Sequence, residues 1–398
     1  MDDWQTVSLG DALTFQRGFD ITKDEQRDGS YPVISSSGPK TTHAEFKVRG
    51  PGVIIGRKGS LGTVFYSDSD YWPHDTTLWI KDFHGNHPRF AYYFLQTMGF
   101  ERLDAGASNP SLNRNHIHTI PVRFPPLPVQ RRIAGILSAY DELMENSQRR
   151  IRLLEAMARA LYREWFVHFR FPGHDGNSSP SGRGKGEGRT QFVTTPLGDI
   201  PQGWAGRFGD LATIERDGIN PFEFPEEEFE HFSLPAFDNG RQPAIELGAT
   251  ILSGKYCIDD STVLLSKLNP RIPRIWLPVP SGQRRALTST EFIGLKPRTG
   301  MTREFIYAKC CSDEFAGQFG SLAIGTSTSH QRVKPENLLA MPSTVPDRKT
   351  IARFSKLVSP MLTVCQQLRS QIQNLRRTRD LLLPRLLSGQ VELNLKSP

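Results

Sequence analysis

Residues 120–134 read IPVRFPPLPVQRRIA, and residues 341–352 read MPSTVPDRKTIA. A Gly-x-Ser segment precedes each stretch, at Gly106 and at Gly325, and a long apolar heptad pattern follows each. About 220 residues separate the two copies. Because an internal repeat of this size determines the architecture before any local pattern does, the sequence predicts two similar globular units, each with its own helical arm.

Apolar residues in each arm recur at alternating intervals of four and three for more than four heptads. A single apolar seam of this length predicts coiled-coil packing, and each arm would span roughly 50–60 Å at about 1.5 Å of rise per residue. Because the arms match in length and phase, they fit better against each other than against their own globular units, which is the alternative. The residues expected to pack in the two seams are Leu137, Met144, Ile151, Leu154, Leu161, Met361, Leu368, Ile372, Leu375 and Leu382.

Length and composition are typical of a soluble protein with two domains. A chain of 398 residues has room for two cores and connecting helices. The net charge of +7 permits a polyanionic partner without requiring one. The acidic start is no signal peptide, no apolar run approaches bilayer-spanning length, and the four cysteines show no disulfide or C-x-x-C spacing. We therefore expect a cytoplasmic protein without membrane contact.

A stretch rich in Gly, Ser and Pro, residues 173–191, divides the chain in the middle. Such a segment cannot bury enough apolar surface to fold, so we expect a flexible tether. Its alternating glycines do not form a phosphate-binding loop, because that motif needs a preceding strand and a following helix. Beyond the tether, the Trp…Leu-Gly-Asp opening at Trp4 returns as Trp…Phe-Gly-Asp at Trp204, so the repeat covers whole units.

Each globular unit carries a mixed pattern of short strands and helices. The strand-like runs are broken by Gly, Pro and Asp, which predicts frequent turns, and His74-Asp75 is interpreted as one of them. The predicted fold class is α/β (α+β), with a strongly bent sheet and few long helices in each unit. Strand-like runs occupy residues 52–55, 63–66, 78–80 and 262–265, and helix-like stretches occupy residues 89–99 and 302–319.

The sequence carries little that predicts catalysis. Gly254-Lys255 is followed by Tyr256, where a Walker motif needs a hydroxyl residue to hold magnesium. No glycine-rich cofactor turn and no acceptor motif of an amino-methyltransferase is found. His116 and His118 alternate like neighbours on one strand face, which favours an ordinary strand role over zinc binding. We therefore expect no catalytic residue, no metal and no bound cofactor on this chain.

Loops that combine glycine with basic and amide side chains recur at matching places in both halves. Glycine lets the backbone approach a surface closely, Arg and Lys neutralise phosphate or pair with guanine, and Asn and Gln read base edges. A solvated basic turn explains such residues taken singly, but their recurrence favours DNA binding. The candidate DNA-binding residues are Arg57, Lys58, Ser60, Asn113 and Arg114 in the first half, and Lys267, Asn269, Arg271, Arg274, Ser327, His330, Gln331 and Arg332 in the second.

Over nearly its whole length the chain resembles the DNA-specificity subunits of type I restriction–modification systems. The resemblance rests on the openings at Trp4 and Trp204 and on the Ile-Pro…Pro-Pro…Gln…Ile entry to the first arm, residues 120–133. It rests also on the Leu-Glu…Leu-Tyr…Trp-Phe-Val…Phe-Arg-Phe-Pro close of that arm, residues 154–172, and on Arg-Asp-Leu-Leu-Leu-Pro-Arg-Leu-Leu-Ser-Gly, residues 379–389. Each motif is modest alone, and in this order they are specific.

The resemblance implies two pseudo-symmetric target-recognition domains, separated by two long antiparallel coiled-coil helices that act as a spacer. Each domain would read one half of a bipartite sequence in double-stranded DNA. Two methyltransferase subunits holding S-adenosylmethionine, and restriction subunits hydrolysing ATP with Mg, would dock on this non-catalytic chain. The expected segments are a first recognition domain at 1–126, a first helical spacer at 127–170, a linker at 171–195, a second recognition domain at 196–344, a second helical spacer at 345–390 and a tail at 391–398.

Two alternatives come from other functional classes. A single-chain restriction enzyme or methyltransferase, or a fragment of one, would cleave or methylate DNA alone, and the missing catalytic motifs argue against it. A coiled-coil scaffold without DNA binding would fail to shift any DNA at any salt concentration, even with methyltransferase subunits added.

Overall fold

A computed structural model describes residues 4–102, 111–172, 191–324, 331–391 and 393. The two Gly-x-Ser segments and residues 173–190 of the expected tether lie outside this range. The chain divides into two units, one formed by Met1–Glu145 with Gln373–Pro398 and the other by Asn146–Ile372. Among the described residues, no helix is long and apolar enough to cross a membrane.

The first unit combines short strands with a few helices, as the strand-and-turn pattern predicts. Its helices are α1 (Leu9–Ala12), α2 (Pro88–Gln96), α3 (Arg114–His118) and the first part of α4 (Leu127–Phe166). Its strands are β1 (Gln5–Ser8), β2 (Thr14–Arg17), β3 (Tyr31–Ser35), β4 (Gly38–His43), β5 (Gly52–Gly56), β6 (Val64–Ser67), β7 (Trp72–Pro73), β8 (Thr77–Asp82) and β9 (Pro121–Phe124).

The central sheet of the first unit has the strand order β2-β8-β5-β6, with every neighbouring pair antiparallel. Strand β5 is buried along its whole length, which explains its unbroken run of β-branched residues. Strands β4-β3-β7 form a second sheet, and β1 pairs with β9. Helix α2 begins at Pro88 after His87, whose side chain caps the amide of Phe90.

The expectation that His116 and His118 lie on a strand is wrong. Both residues belong to α3, which begins because the side chain of Asn113 accepts a hydrogen bond from the amide of Asn115. The imidazole Nε2 of His118 accepts the amide of Phe15 at 3.0 Å, so this histidine has a structural role. Burial is the main cause that lowers its pKa, which favours the neutral ring that this bond requires.

The second unit contains more strands than the first. Its helices are the last part of α4, α5 (Leu234–Asp238), α6 (Arg303–Cys310), α7 (Asp313–Ser321), α8 (Pro335–Ala340) and the first part of α9 (Arg348–Leu387). Its strands are β10 (Phe192–Thr195), β11 (Gly198–Pro201), β12 (Ala205–Arg207), β13 (Ala212–Ile214), β14 (Gly218–Ile219), β15 (Glu228–Phe232), β16 (Ala244–Leu247), β17 (Lys255–Cys257), β18 (Val263–Ser266), β19 (Ile275–Trp276), β20 (Arg285–Thr288), β21 (Phe292–Pro297) and β22 (Pro342–Thr344).

The topology of the second unit repeats that of the first. Its central sheet, in the order β13-β21-β18-β19, matches β2-β8-β5-β6 strand for strand, and β12 pairs with β22 as β1 pairs with β9. The units differ in the second sheet, which has five strands here, in the order β14-β17-β20-β15-β16, against three in the first unit. The predicted mixed fold class and the predicted repeat are therefore confirmed, and the size of the second sheet distinguishes the units.

Helices α4 and α9 each contain 40 residues, and parts of both helices contribute to each unit. In the first unit the Arg379 guanidinium binds the Asp141 carboxylate at 2.6 Å. In the second unit Phe354, near the start of α9, packs on Trp165, near the end of α4, and Cys365 lies against Ile151. Within the second unit the two helices therefore run in opposite directions, as the resemblance implies.

All ten residues predicted for the helix seams are at least partly withdrawn from solvent. The helices also enter the core of each unit: the rings of Phe166 and Phe354 contact each other and Phe305 of α6. The packing of each arm on its own unit, the alternative considered from sequence, therefore coexists with helix–helix packing. The buried seam residues are Leu137, Met144, Ile151, Leu368 and Ile372, and the half-buried ones are Leu154, Leu161, Met361, Leu375 and Leu382.

Candidate nucleic-acid interface

The first candidate loop comprises residues 57–63, between β5 and β6, and glycine determines its shape. A Cβ atom on Gly56 would lie 2.0 Å from the carbonyl oxygen of Ser60, so only glycine permits this close turn. Gly59 and Gly62 have φ angles of +77° and +73°, which other residues rarely adopt. The exposed Ser60 lies at the tip of the loop.

Backbone hydrogen bonds hold Arg57 and Lys58 in place at the start of this loop. Both amides donate to the carbonyl of Thr76, at 2.8 and 3.1 Å, and the carbonyl of Arg57 accepts the amide of Leu112 at 2.9 Å. The Arg57 guanidinium reaches the Asp75 carbonyl at 3.4 Å. The backbone is therefore ordered, while two half-buried cationic side chains extend from it.

A charged cluster that the sequence did not predict as part of the site lies next to Arg57. The Asp75 carboxylate binds the Arg17 guanidinium at 3.0 Å and the His74 ring at 2.9 Å. Asp75 and Thr76 form the turn predicted at this position. Because β2, β5 and β8 lie side by side in one sheet, residues far apart in the sequence meet at this edge, and no local pattern marks Arg17 as a neighbour.

The second candidate loop, residues 267–274, occupies the matching place after β18. The carbonyl of Lys267 accepts the amide of Val333 at 3.1 Å, just as the carbonyl of Arg57 accepts that of Leu112. Lys267 is therefore the structural counterpart of Arg57. Asn269 has a φ of +49° and stands where Gly59 stands in the first loop. Asn tolerates this left-handed conformation better than most residues do.

Asn269 is held at the base of the second loop. Its amide donates to the carbonyl of Gln331 at 2.9 Å, and its own carbonyl accepts the amide of Ile272 at 2.8 Å. The side-chain Oδ1 atom is buried and has no hydrogen-bond partner among the described residues. Asn269 and Gln331, predicted separately from sequence, are thus in direct contact.

The structure divides the candidate basic residues into two groups. Arg274 makes two hydrogen bonds to Asp238, at 2.8 and 3.0 Å, and Arg332 makes two to Glu291, at 3.1 and 3.2 Å. In each case the hydrogen bond to the carboxylate raises the pKa of the guanidinium above its usual value. These two residues are engaged within the protein. By contrast, the described part of the chain offers no salt bridge to Arg57, Lys58, Arg114, Lys267 or Arg271.

The remaining candidates fall into different environments. Asn113 uses its side-chain oxygen to cap α3, and the next residue, Arg114, is exposed. Arg271 is exposed and Gln331 is half-buried. Ser327 and His330 lie outside the described residues. No group of three or more potential metal-ligating side chains occurs in the described ranges.

Comparisons with known proteins support the predicted resemblance. The sequence model of the family described as type I restriction modification DNA specificity domain matches residues 1–156. The chain is 21% identical over 329 residues to the type I restriction enzyme MjaIX specificity subunit of Methanocaldococcus jannaschii, covering 76% of this chain and 69% of that protein. It is 26% identical over 255 residues to the putative type I specificity subunit S.MpnORF507P of Mycoplasma pneumoniae, covering 61% and 62%.

A solved structure shows the same fold. The S subunit of a type I restriction-modification system from M. genitalium covers 98% of this chain and 97% of its own, with a TM-score of 0.63 at 16% identity. The family model and the relatives make the chain similar to the type I specificity subunits, and the solved structure shows that it shares their fold. Specificity subunits are the non-catalytic components of type I systems.

Proposed function

We propose that each unit of this chain reads one half of a bipartite sequence in double-stranded DNA. The single observation that carries this proposal is the equivalence of Arg57 and Lys267. Each extends from a backbone held by hydrogen bonds, directly after the central strand of its sheet. A cationic side chain can pair with a guanine edge. When its backbone is already ordered, less conformational entropy is lost on binding.

The two long helices complete the proposed function. We propose that they set the length of the unread DNA between the half-sites and dock two methyltransferase subunits. In the complete complex, S-adenosylmethionine would be held by the methyltransferase subunits, and ATP and Mg by the restriction subunits, in the cytoplasm. The repeat of the topology supports this assignment, since like units present like docking surfaces.

The half-site assignment is tested by mapping methylated adenines in cells that express the complete system. We expect Arg57→Ala to relax recognition at one half-site and Lys267→Ala to relax it at the other. The loss of one good base contact corresponds to about 1–3 kcal/mol of discrimination. Lys356→Ala, an exposed basic residue on α9, is the matched control and is expected to leave both half-sites unchanged.

Two results would contradict the base-reading role. If both loop substitutions weakened methylation uniformly at every sequence, Arg57 and Lys267 would be phosphate contacts. If either substitution relaxed both half-sites together, the assignment of one half-site to each unit would be wrong.

The spacer role is tested by insertion. Four residues added within α4 lengthen a helix by about 6 Å, and we expect the unread spacer to grow by one or two base pairs with both half-sites retained. A spacer of unchanged length in the methylome would contradict this role.

A further inference from the structure

A cavity of about 190 Å³ lies in the second unit, and its lining includes no residue of the second candidate loop. It is bounded by the end of α4, the β10–β11 hairpin, helices α6 and α7, and β22. A cavity of about 150 Å³ is large enough to hold benzene, so this one can hold a small aromatic molecule. Its principal lining residues are Tyr162, Phe166, Phe169, Ile200, Lys309 and Phe315.

The cavity wall carries a buried amine that has no salt-bridge partner among the described residues. Lys309 is 7% exposed, and its Nζ atom donates a hydrogen bond to the hydroxyl of Thr344 at 3.3 Å. No carboxylate forms a salt bridge with it within the described residues. A buried ammonium is costly unless an anion compensates it. Burial lowers the pKa of Lys309 to about 8, so the amine still carries its charge at neutral pH.

A second polar group in the cavity wall also lacks a partner. Ser343 is 2% exposed, and its hydroxyl finds no hydrogen-bond partner in the part of the chain that the structure describes. Two exposed carboxylates, those of Asp199 and Glu314, lie in the lining as well. Thr194 holds Asp199 at 2.7 Å, and Glu314 favours the charged form of Lys309 without pairing with it. The lining thus combines aromatic rings, one buried cation, one hydroxyl without a partner among the described residues, and two exposed carboxylates.

We propose that this cavity is a binding site for a small organic carboxylate with an apolar body. The carboxylate pairs with the Lys309 ammonium, and the apolar body lies among the rings of Tyr162, Phe166 and Phe315. Binding gives Lys309 a direct ion-pair partner and fills apolar space, so both contacts favour the same orientation of the ligand.

Calorimetry on the full-length chain with benzoate as the probe tests this site. We expect saturable binding of benzoate, with its neutral counterpart benzamide at least about tenfold weaker, because a hydrogen bond to a charged group is stronger than a neutral one. Lys309→Met keeps the side-chain length and removes the charge, and we expect it to weaken benzoate binding by about tenfold to a hundredfold. Lys356→Met, an exposed lysine of the same unit, is the matched control and is expected to bind benzoate normally.

Proton uptake provides a readout that a purely structural lysine would not give. An anion beside Lys309 raises the pKa of its amine. At a pH near the unliganded pKa of about 8, benzoate binding should therefore be accompanied by proton uptake in the parent chain and not in Lys309→Met. Absence of saturable benzoate binding would overturn the proposal. Equal affinities for benzoate and benzamide, or unchanged benzoate binding in Lys309→Met, would overturn it as well.

Discussion

One carboxylate oxygen of Glu155, on α4, forms salt bridges with two arginines. We therefore expect Glu155→Gln to destabilise the second unit. Arg369 of α9 contacts this oxygen at 2.5 Å, and Arg241 contacts it at 3.1 Å. Glutamine keeps the shape of the side chain and removes its charge, so two guanidiniums lose their only counter-charge in the described residues. Glu155 and Arg369 are each 18% exposed and Arg241 is 32% exposed, so all three are partly withdrawn from water.

The magnitude follows from this partial burial. Removing one partner of a fully buried ion pair costs about 3–5 kcal/mol, whereas an exposed pair contributes about 0–1 kcal/mol. We therefore expect Glu155→Gln to lower the free energy of unfolding of the second unit by about 2 kcal/mol. Hydrogen exchange over residues 146–166 and 348–372 measures this loss locally, without requiring both units to unfold together.

Glu164→Gln is the matched control on the same helix. Glu164 binds Arg170 with two hydrogen bonds of 2.7 Å, and both side chains are exposed, so we expect no measurable change. The double substitution Glu155→Gln with Arg369→Met should recover much of the loss, because one uncompensated cation is then gone. Equal exchange rates in Glu155→Gln and Glu164→Gln would refute this reasoning.

Three further predictions concern single sites. Gly135→Ala, at an exposed interior position of α4 where an added Cβ meets nothing within 4 Å, should raise the free energy of unfolding by about 0.5–1 kcal/mol in urea titrations. Gly56→Ala should displace the first loop, because the added Cβ would lie 2.0 Å from the carbonyl oxygen of Ser60. In the methylome, we expect recognition of one half-site to be lost, while recognition of the other half-site persists. Burial acts to raise the pKa of Asp259, but hydrogen bonds from Ser261 and Lys296 lower it to about 2 from 3.8. This lowered pKa stabilises the folded state at pH values above the unfolded pKa of 3.8, and the stabilisation is lost as the pH falls from 3.8 towards 2. Asp259→Asn removes the carboxylate, so acid titration of the free energy of unfolding should lack this component in the variant.

The repeat and the helix seams were predictable because they are periodic in the sequence. Residues 52–55 and 262–265 are strand-like runs of apolar residues, and both became the central strands β5 and β18. The helix-like stretch predicted at residues 302–319 is two helices in the structure, α6 and α7, and the side chains of Thr302 and Ser312 cap their starts. Periodicity and capping are local properties, so a single chain displays them directly.

The environment of the candidate site was not predictable, because it depends on contacts between distant residues. Arg274 lies 36 positions from Asp238, and Arg332 lies 41 positions from Glu291. Nothing in the loop sequences distinguishes these paired arginines from the unpaired Arg57. His118 was misassigned for a related reason: the cap at Asn113 makes a helix of a segment whose alternating histidines look like a strand.

The excess positive charge of the chain lies largely on helix α9 and not in the candidate loops. Helix α9 contains nine basic residues and one acidic residue, so it alone exceeds the net charge of +7 of the whole chain. Arg376 and Arg377 on this helix are exposed. A reading loop gains discrimination from base contacts, whereas added phosphate contacts raise the affinity for every sequence alike. Arg274 is paired with Asp238, so the described parts of the loops keep only a few cations without a salt bridge. Under the proposed function, these few cations would discriminate between sequences without binding all DNA tightly.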